Sequence, residues 1–230
     1  MIRTLRDISD FFFPRICVCC GKILSSHEDG LCFECLSGLP YTGLQYSPGN
    51  EMERMFWGVF PIEKATSLLY YSKGGNVADI LHAMKYKGRK KLCCIMGRIM
   101  AAELMGSGFF ENIDLFIPVP LHKVRMRNRG YNQSELLAKG ISDYTGIPII
   151  SDAVKRTHNN TTQTRKSGLE RWQNTEGLFA LSENSSSLKN KHILIIDDVL
   201  TTGATISSCM DVLKEIDGIK ISVATLAWTK

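Results

Sequence analysis

No apolar run in this 230-residue sequence approaches the roughly eighteen residues that a membrane-spanning helix needs. The opening stretch, MIRTLRDISDFFFPR, carries charges throughout and lacks both the apolar core and the small-residue cleavage site of a secretory signal. There is no internal repeat, and Ser182 to Ser187 is the nearest approach to low complexity. Also missing is a Gly-rich loop closed by Lys-Ser or Lys-Thr, which a P-loop requires. These absences argue against a membrane span, a solenoid and a P-loop hydrolase, and a cytoplasmic protein is the expectation. What is present is ordinary globular composition, 44% hydrophobic and 22% charged, enough for one substantial domain and a small one. A net charge of +5 suits an anionic ligand without singling out nucleic acid.

The most informative stretch is HILIIDDVLTTGATISSC, from His192 to Cys209. Ile193, Leu194, Ile195 and Ile196 form a β-branched-rich run, the pattern of a strand buried on both faces of a parallel sheet. Asp197 and Asp198 are expected at its carboxyl end. From Ala204 onward, Ile206, Met210, Leu213 and Ile216 recur at helical spacing and predict a helix that stops before Gly218. Ligands of open α/β sheets gather outside the carboxyl ends of the strands. There, Thr201, Thr202, Gly203, Ala204 and Thr205 offer backbone N–H groups and hydroxyls at the positive end of a helix dipole, a cradle for phosphate. Gly203 lets the backbone come close. The two carboxylates beside it can accept hydrogen bonds from vicinal hydroxyls or hold Mg²⁺ through water. A phosphorylated sugar meets both halves.

Cys17, Cys20, Cys32 and Cys35 make two Cys-x-x-Cys knuckles. Four thiolates so spaced surround one tetrahedral Zn²⁺, and a piece this small needs a metal to hold its fold; a structural site, closed to water, is expected. Cys19 adjoins Cys20 and competes as a ligand or stays a free thiol, and His27 is a weaker competitor. Leu39 to Glu51 turns to Gly, Pro, Tyr, Ser and Asn and reads as a linker. The chain thus divides into residues 1–50, with a first helix whose apolar face is Ile2, Leu5, Ile8 and Phe12, and a main domain over 51–230.

Within that domain Ala65 to Ser72 reads as a strand, and Val77 to Lys85 and Lys91 to Met105 read as helices, with Cys93 and Cys94 at or near the core. Asp114 to Pro120 reads as a second buried strand stopped by prolines. After it comes a basic loop carrying Lys123, Arg125, Arg127 and Arg129, placed to neutralise a pyrophosphate, and then a helix from about Asn132. Lys85, Lys87 and Arg89 head a second basic patch; with Tyr86 and Tyr131 interleaved, it offers a single-stranded nucleic acid cations for its backbone and rings for its bases. Ile147 to Ile150 and Ala153 to Arg156 read as short strands, and Thr157 to Gly168 as a lid. His122 reads as a solvated loop residue, and no strong general base stands out.

Ile195-Ile196-Asp197-Asp198 followed by Thr201 to Thr205 resembles the phosphoribosyl-pyrophosphate (PRPP) signature of type I phosphoribosyltransferases. With the cysteine module, LHAMKYKGRKKL, PVPLHKVRMRNRGYNQSELLAKGI and the positions Arg156, Thr162, Gln163, Arg171, Asn174 and Phe179, nearly the whole chain resembles the ComF family of competence-associated phosphoribosyltransferase-like proteins. The resemblance implies an α/β, type I phosphoribosyltransferase fold, a parallel sheet flanked by helices, joined to a small N-terminal four-cysteine zinc module. It implies that Asp197 and Asp198 take the ribose hydroxyls, that Thr201 to Thr205 take the 5′-phosphate, and that Mg²⁺ accompanies PRPP. Arg156, Thr162, Gln163 and Arg171 would belong to the flexible catalytic loop that closes on PRPP. It further implies a role in competence, with single-stranded DNA or a helicase-type DNA-uptake protein as partner. Two activities stay open: a PRPP-dependent transferase, and a PRPP- or nucleotide-sensing module that engages DNA or a DNA-processing partner.

Overall fold

A computed structural model describes residues 14–58, 60–157 and 177–230. In chain order its elements are α1 (Phe33–Ser37), α2 (Glu51–Arg54), β1 (Ala65–Tyr70), α3 (Asn76–Tyr86), α4 (Lys90–Met105), β2 (Leu115–Pro118), α5 (Lys123–Arg129), α6 (Gln133–Thr145), β3 (Val154–Arg156), β4 (Phe179–Leu181), β5 (His192–Leu200), α7 (Ala204–Leu213) and β6 (Lys220–Trp228). The expected helix over Ile2, Leu5, Ile8 and Phe12 lies outside the described residues. No helix among the described residues is long and apolar enough to cross a membrane.

β1, β6, β5 and β2 lie side by side in that order, all parallel. Parallel neighbours need crossover connections, so both faces of the sheet are covered. On one face Ile80 and Met84 of α3, Met96 and Met100 of α4, and Leu137 and Ile141 of α6 share a core with Leu194 and Ile196. On the other, Ile206, Met210 and Leu213 of α7 join Met52 and Phe56 over Ile193 and Ile195. The period-two alternation of a strand sends successive β5 side chains into these two cores. The residues between the cysteines and β1 pack on that strand: Thr42 N–H donates to the Leu68 carbonyl at 3.0 Å, and Leu39 and Leu44 are buried.

Three expectations change in detail. β5 does not end at the acidic pair; it pairs with β6 as far as Leu200. Its other neighbour, β2, stops with Pro118 opposite Ile196, so Asp197 and Asp198 open onto the crevice beyond the end of β2 from within their own strand. The basic stretch after β2 is not a loop but the helix α5. His122 caps its start, Nδ1 accepting from Val124 N–H at 3.3 Å, and Gly130, left-handed at φ +75°, ends it. Finally, of the two short strands expected near residue 150, only the second forms: β3 pairs antiparallel with β4, while Ile149 makes a single bridge to Phe116.

α4 and α6 meet at glycines. A Cβ on Gly97 would stand 2.2 Å from the Leu137 carbonyl oxygen, and one on Gly140 would stand 2.1 Å from that of Cys94. The two backbones therefore touch, and α6 has no freedom to shift against α4. Gly140→Ala should cost about 1–3 kcal/mol and lower the melting temperature by roughly 3–10 °C, read by circular dichroism; an unchanged melt would show that the crossing is looser than described.

Candidate functional site

The site is built where β2 ends and α6 begins. Asn132 caps α6, its Oδ1 accepting from Ser134 N–H at 3.1 Å, and its Nδ2 donates to the Val119 carbonyl at 3.0 Å. The first turn of α6 is thereby tied to the end of β2 and set against the acidic pair. Gln133 Nε2 donates to Asp198 Oδ2 at 2.7 Å, and Ser134 Oγ donates to Asp197 Oδ1 at 2.8 Å. Asp198 N–H also donates to Asp197 Oδ1, at 2.9 Å. From the last turn of α3, Lys85 Nζ lies 3.0 Å from Asp198 Oδ2, the two side chains only 18% and 5% exposed. Tyr131 OH holds that turn by donating to the Met84 carbonyl at 2.6 Å.

Each carboxylate is thus gripped by one oxygen. The other two, Asp197 Oδ2 and Asp198 Oδ1, have no partner among the described residues, and neither is sealed from solvent. Burial and the adjoining Asp198 charge raise the Asp197 carboxyl to about 7, with Ser134, the Asp198 N–H and Lys85 pulling the other way.

Directly after β5, Thr201 and Thr202 lead to Gly203, which is left-handed at φ +79° and serves as the N-cap of α7 without any side-chain cap. Its backbone is walled by Phe56, Leu200 and Met55, whose atoms lie 3.5–3.9 Å from where a Cβ would be. The N–H groups of the first turn, at Ala204, Thr205 and Ile206, meet no capping side chain, which is the arrangement that receives an anion.

The four basic residues of α5 part company. Arg125 is half-buried and lies near Arg156 of β3, whose guanidinium is disfavoured by burial and by Arg125 but favoured by Asp197. Arg129 instead covers the Tyr86 ring at 5.3 Å, and Lys123 and Arg127 are exposed. Lys85 leaves the basic patch altogether for its ion pair, whereas Lys87 is exposed and Arg89 half-buried. Tyr131 is buried, so of the two rings only Tyr86, 67% exposed, is available for stacking. Thr162, Gln163 and Arg171, with most of the expected lid, lie outside the described residues. Sequence reasoning missed Gln133 and Ser134 as partners of the acids; the available signal was Asn132, a capping residue just beyond a strand end, which points the next two side chains at the ligand edge.

Away from this edge, the sulfurs of Cys17, Cys20, Cys32 and Cys35 all lie within 4.8 Å of one another and could hold one metal ion. Burial opposes ionisation of Cys17, but the N–H groups of Cys20, Cys32 and Cys19 outweigh it and draw the thiol down to about 6. Cys19 is not in the group: its Sγ faces the Asn76 carbonyl at 3.7 Å, and burial pushes its thiol up to about 12. His27 is exposed and also outside it.

Residues 91–230 match the sequence model of the phosphoribosyl transferase domain. Over 231 aligned residues the chain is 27% identical to Competence protein F of Haemophilus influenzae, covering 94% of this chain and 98% of that protein. The chain belongs to the ComF family. A second ComF relative, DNA utilization protein YhgH of Escherichia coli K12, is 26% identical over 217 residues, 93% of this chain and 90% of its own length. Among solved structures, glutamine phosphoribosylpyrophosphate amidotransferase from B. subtilis aligns over 57% of this chain and 25% of its own, with 18% identity and a TM-score of 0.37. The parallel sheet flanked by helices is that of a type I phosphoribosyltransferase-like protein, here with an N-terminal cysteine cluster.

Because the Asp197 carboxyl titrates well above its unfolded value, the folded state binds the extra proton between about pH 4 and 7. Its neutral form supports the fold at the acid end of that window, and this contribution is lost as pH rises through about 7. Asp197→Asn should therefore raise the melting temperature of the ligand-free protein by a few degrees more at pH 8 than at pH 5; an equal gain at both would contradict the raised carboxyl.

Proposed function

We propose that this ComF-family protein binds PRPP, or a related phosphoribosyl ligand, along the carboxyl edge of its sheet. The observation that carries the reading is the pair of unpartnered carboxylate oxygens, one per residue, next to an uncapped helix start on the same strand–turn–helix unit. Two unpartnered acceptors on successive residues suit two vicinal hydroxyls, and the Gly203 turn, with Thr201, Thr202, Ala204 and Thr205 around it, suits the 5′-phosphate. Arg125, with Lys123 and Arg127 on the same helix, takes the pyrophosphate end. With PRPP bound, Mg²⁺ would supply further neutralisation of the leaving pyrophosphate beside these basic residues. Asp197 and Asp198 fix the sugar and stand ready for the positive charge that develops at C1 when that group departs. The edge therefore supports pentosyl transfer by positioning and charge rather than by proton abstraction.

The cysteine cluster is read as a structural zinc site. Zn–S bonds of about 2.3 Å in a tetrahedron put neighbouring sulfurs about 3.8 Å apart, and Cys20 Sγ lies 3.7 Å from Cys32 Sγ. Four sulfurs close the coordination shell, so the metal would hold the knuckles together and take no part in chemistry at the sugar.

A DNA-handling role is the wider reading. It is supported by relatives named for competence and DNA utilization and by the exposed Tyr86 ring beside Arg129, with Lys87 next to it.

Calorimetric titration of Mg²⁺ and PRPP into the metal-loaded protein should give one site per chain, and an Asp197→Asn, Asp198→Asn double variant should weaken it by about a hundredfold or more. Equal binding by both proteins would move the ligand elsewhere. Metal analysis should return one zinc per chain, and Cys32→Ser should lose it together with several degrees of melting temperature; a metal-free parent that melts no lower would remove zinc from the account.

A further inference from the structure

Among the described residues, Lys85 is the one cation in ion-pair contact with the acidic pair, and the phosphoribosyl reading leaves it without a task. We infer that Lys85 is a built-in counter-cation, which lets Asp197 and Asp198 take the ribose hydroxyls with no divalent ion of their own. The inference rests on the phosphoribosyl reading and adds how that site is charged.

Two neighbouring carboxylates near a phosphate cradle ordinarily invite a divalent cation. Here the place is already taken. Lys85 Nζ and Gln133 Nε2 both approach Asp198 Oδ2, at 3.0 and 2.7 Å, on side chains that are mostly buried. A dication bound to the same carboxylate would sit against a desolvated ammonium, and Arg156, close enough to feel Asp197, adds positive charge from the other face of the sheet. Gln133 shows what the pocket still lacks. With its amide nitrogen committed to a carboxylate, its Oε1 is buried without any donor. With the two unpartnered carboxylate oxygens that makes three acceptors in want of hydrogen-bond donors, which sugar hydroxyls are.

The position of Lys85 is fixed for this task. It stands on the last turn of α3, pinned by the Tyr131 bond to the Met84 carbonyl, and it precedes residues 91–230, which match the transferase domain. The charge balance of the site is therefore supplied by the part of the chain that comes before the matched domain.

Ribose 5-phosphate is the discriminating probe, because it carries the hydroxyls and the 5′-phosphate but no pyrophosphate to bring Mg²⁺. Titrated into the metal-loaded full chain, it should bind with an affinity that changes by less than about threefold between magnesium-free buffer and millimolar Mg²⁺. Lys85→Met should weaken binding at least about tenfold without Mg²⁺ and recover most of it when Mg²⁺ is added, while Lys85→Arg should stay near the parent. Electron paramagnetic resonance with Mn²⁺ should find no protein-held ion at the parent's acidic pair and one in Lys85→Met. Parent binding that requires Mg²⁺, or Lys85→Met binding like the parent without it, overturns the inference and leaves the phosphoribosyl site standing. Failure of the parent to bind ribose 5-phosphate or PRPP under either condition overturns both. Should Lys85→Met not fold, the parent's magnesium dependence and its Mn²⁺ signal decide by themselves.

Discussion

Two carboxylates at successive positions of a strand buried on both faces repel each other and have lost most of their water, so neither is stable there without donors. The surroundings of β5 answer that constraint. β2 stops early, which opens the space; Asn132 brings the start of α6 into it, and Gln133 and Ser134 give one hydrogen bond to each acid. Lys85 adds a charge from α3. What is left is one unpartnered oxygen per carboxylate, neither of them fully sealed from solvent. A pair that would be a liability in a core is tolerated because each acid is satisfied on one side, and the proposed sugar site uses the side that is left.

The two faces of the sheet treat the pair differently. Asp198 meets an ammonium and an amide in a nearly sealed setting, whereas Asp197 meets a hydroxyl and its own neighbour's N–H, with Arg156 at longer range. The first is paired by direct contact with a cation and an amide donor. The second is left poised near neutrality by burial. An alternating strand makes this division natural, since consecutive side chains cannot share one environment.

Much of this can be read from the chain alone. The Ile193 to Ile196 run, the acids, the Thr-Gly turn and the helix from Ala204 all announce themselves by local pattern, as do the two cysteine knuckles, because their spacing alone brings ligands together. The partners of the acids cannot be read that way. Gln133 and Ser134 lie more than sixty residues before Asp197 and Asp198, Lys85 lies further still, and only β2's length and the α4–α6 crossing bring them to the pair. Lys85 is hidden by company: inside a run of lysines and arginines it looks like surface, and burial, which sequence does not display, sets it apart. The basic segment after β2 reads as a loop because its charges draw attention from its caps. His122 at one end and Gly130 at the other, around residues with good helical propensity, mark a short helix.

The glycines that let α4 and α6 touch also settle how far a disturbance travels. Gly30, between the cysteine knuckles, presses on Leu92 and Ile95 at the start of α4; between those two residues, Cys94 lies backbone to backbone with Gly140 of α6. The first turn of α6 grips the acids. Where side chains separate helices, small displacements are absorbed by rotamer changes; where main chain meets main chain there is little to yield. The α4–α6 crossing is therefore the unyielding part of this chain of contacts, whereas the knuckles reach α4 through the side-chain ends of Leu92 and Ile95, which can give. A shift of α4 itself would reach the carboxylates as movement of a whole helix, while a small tilt of the knuckles is absorbed before it.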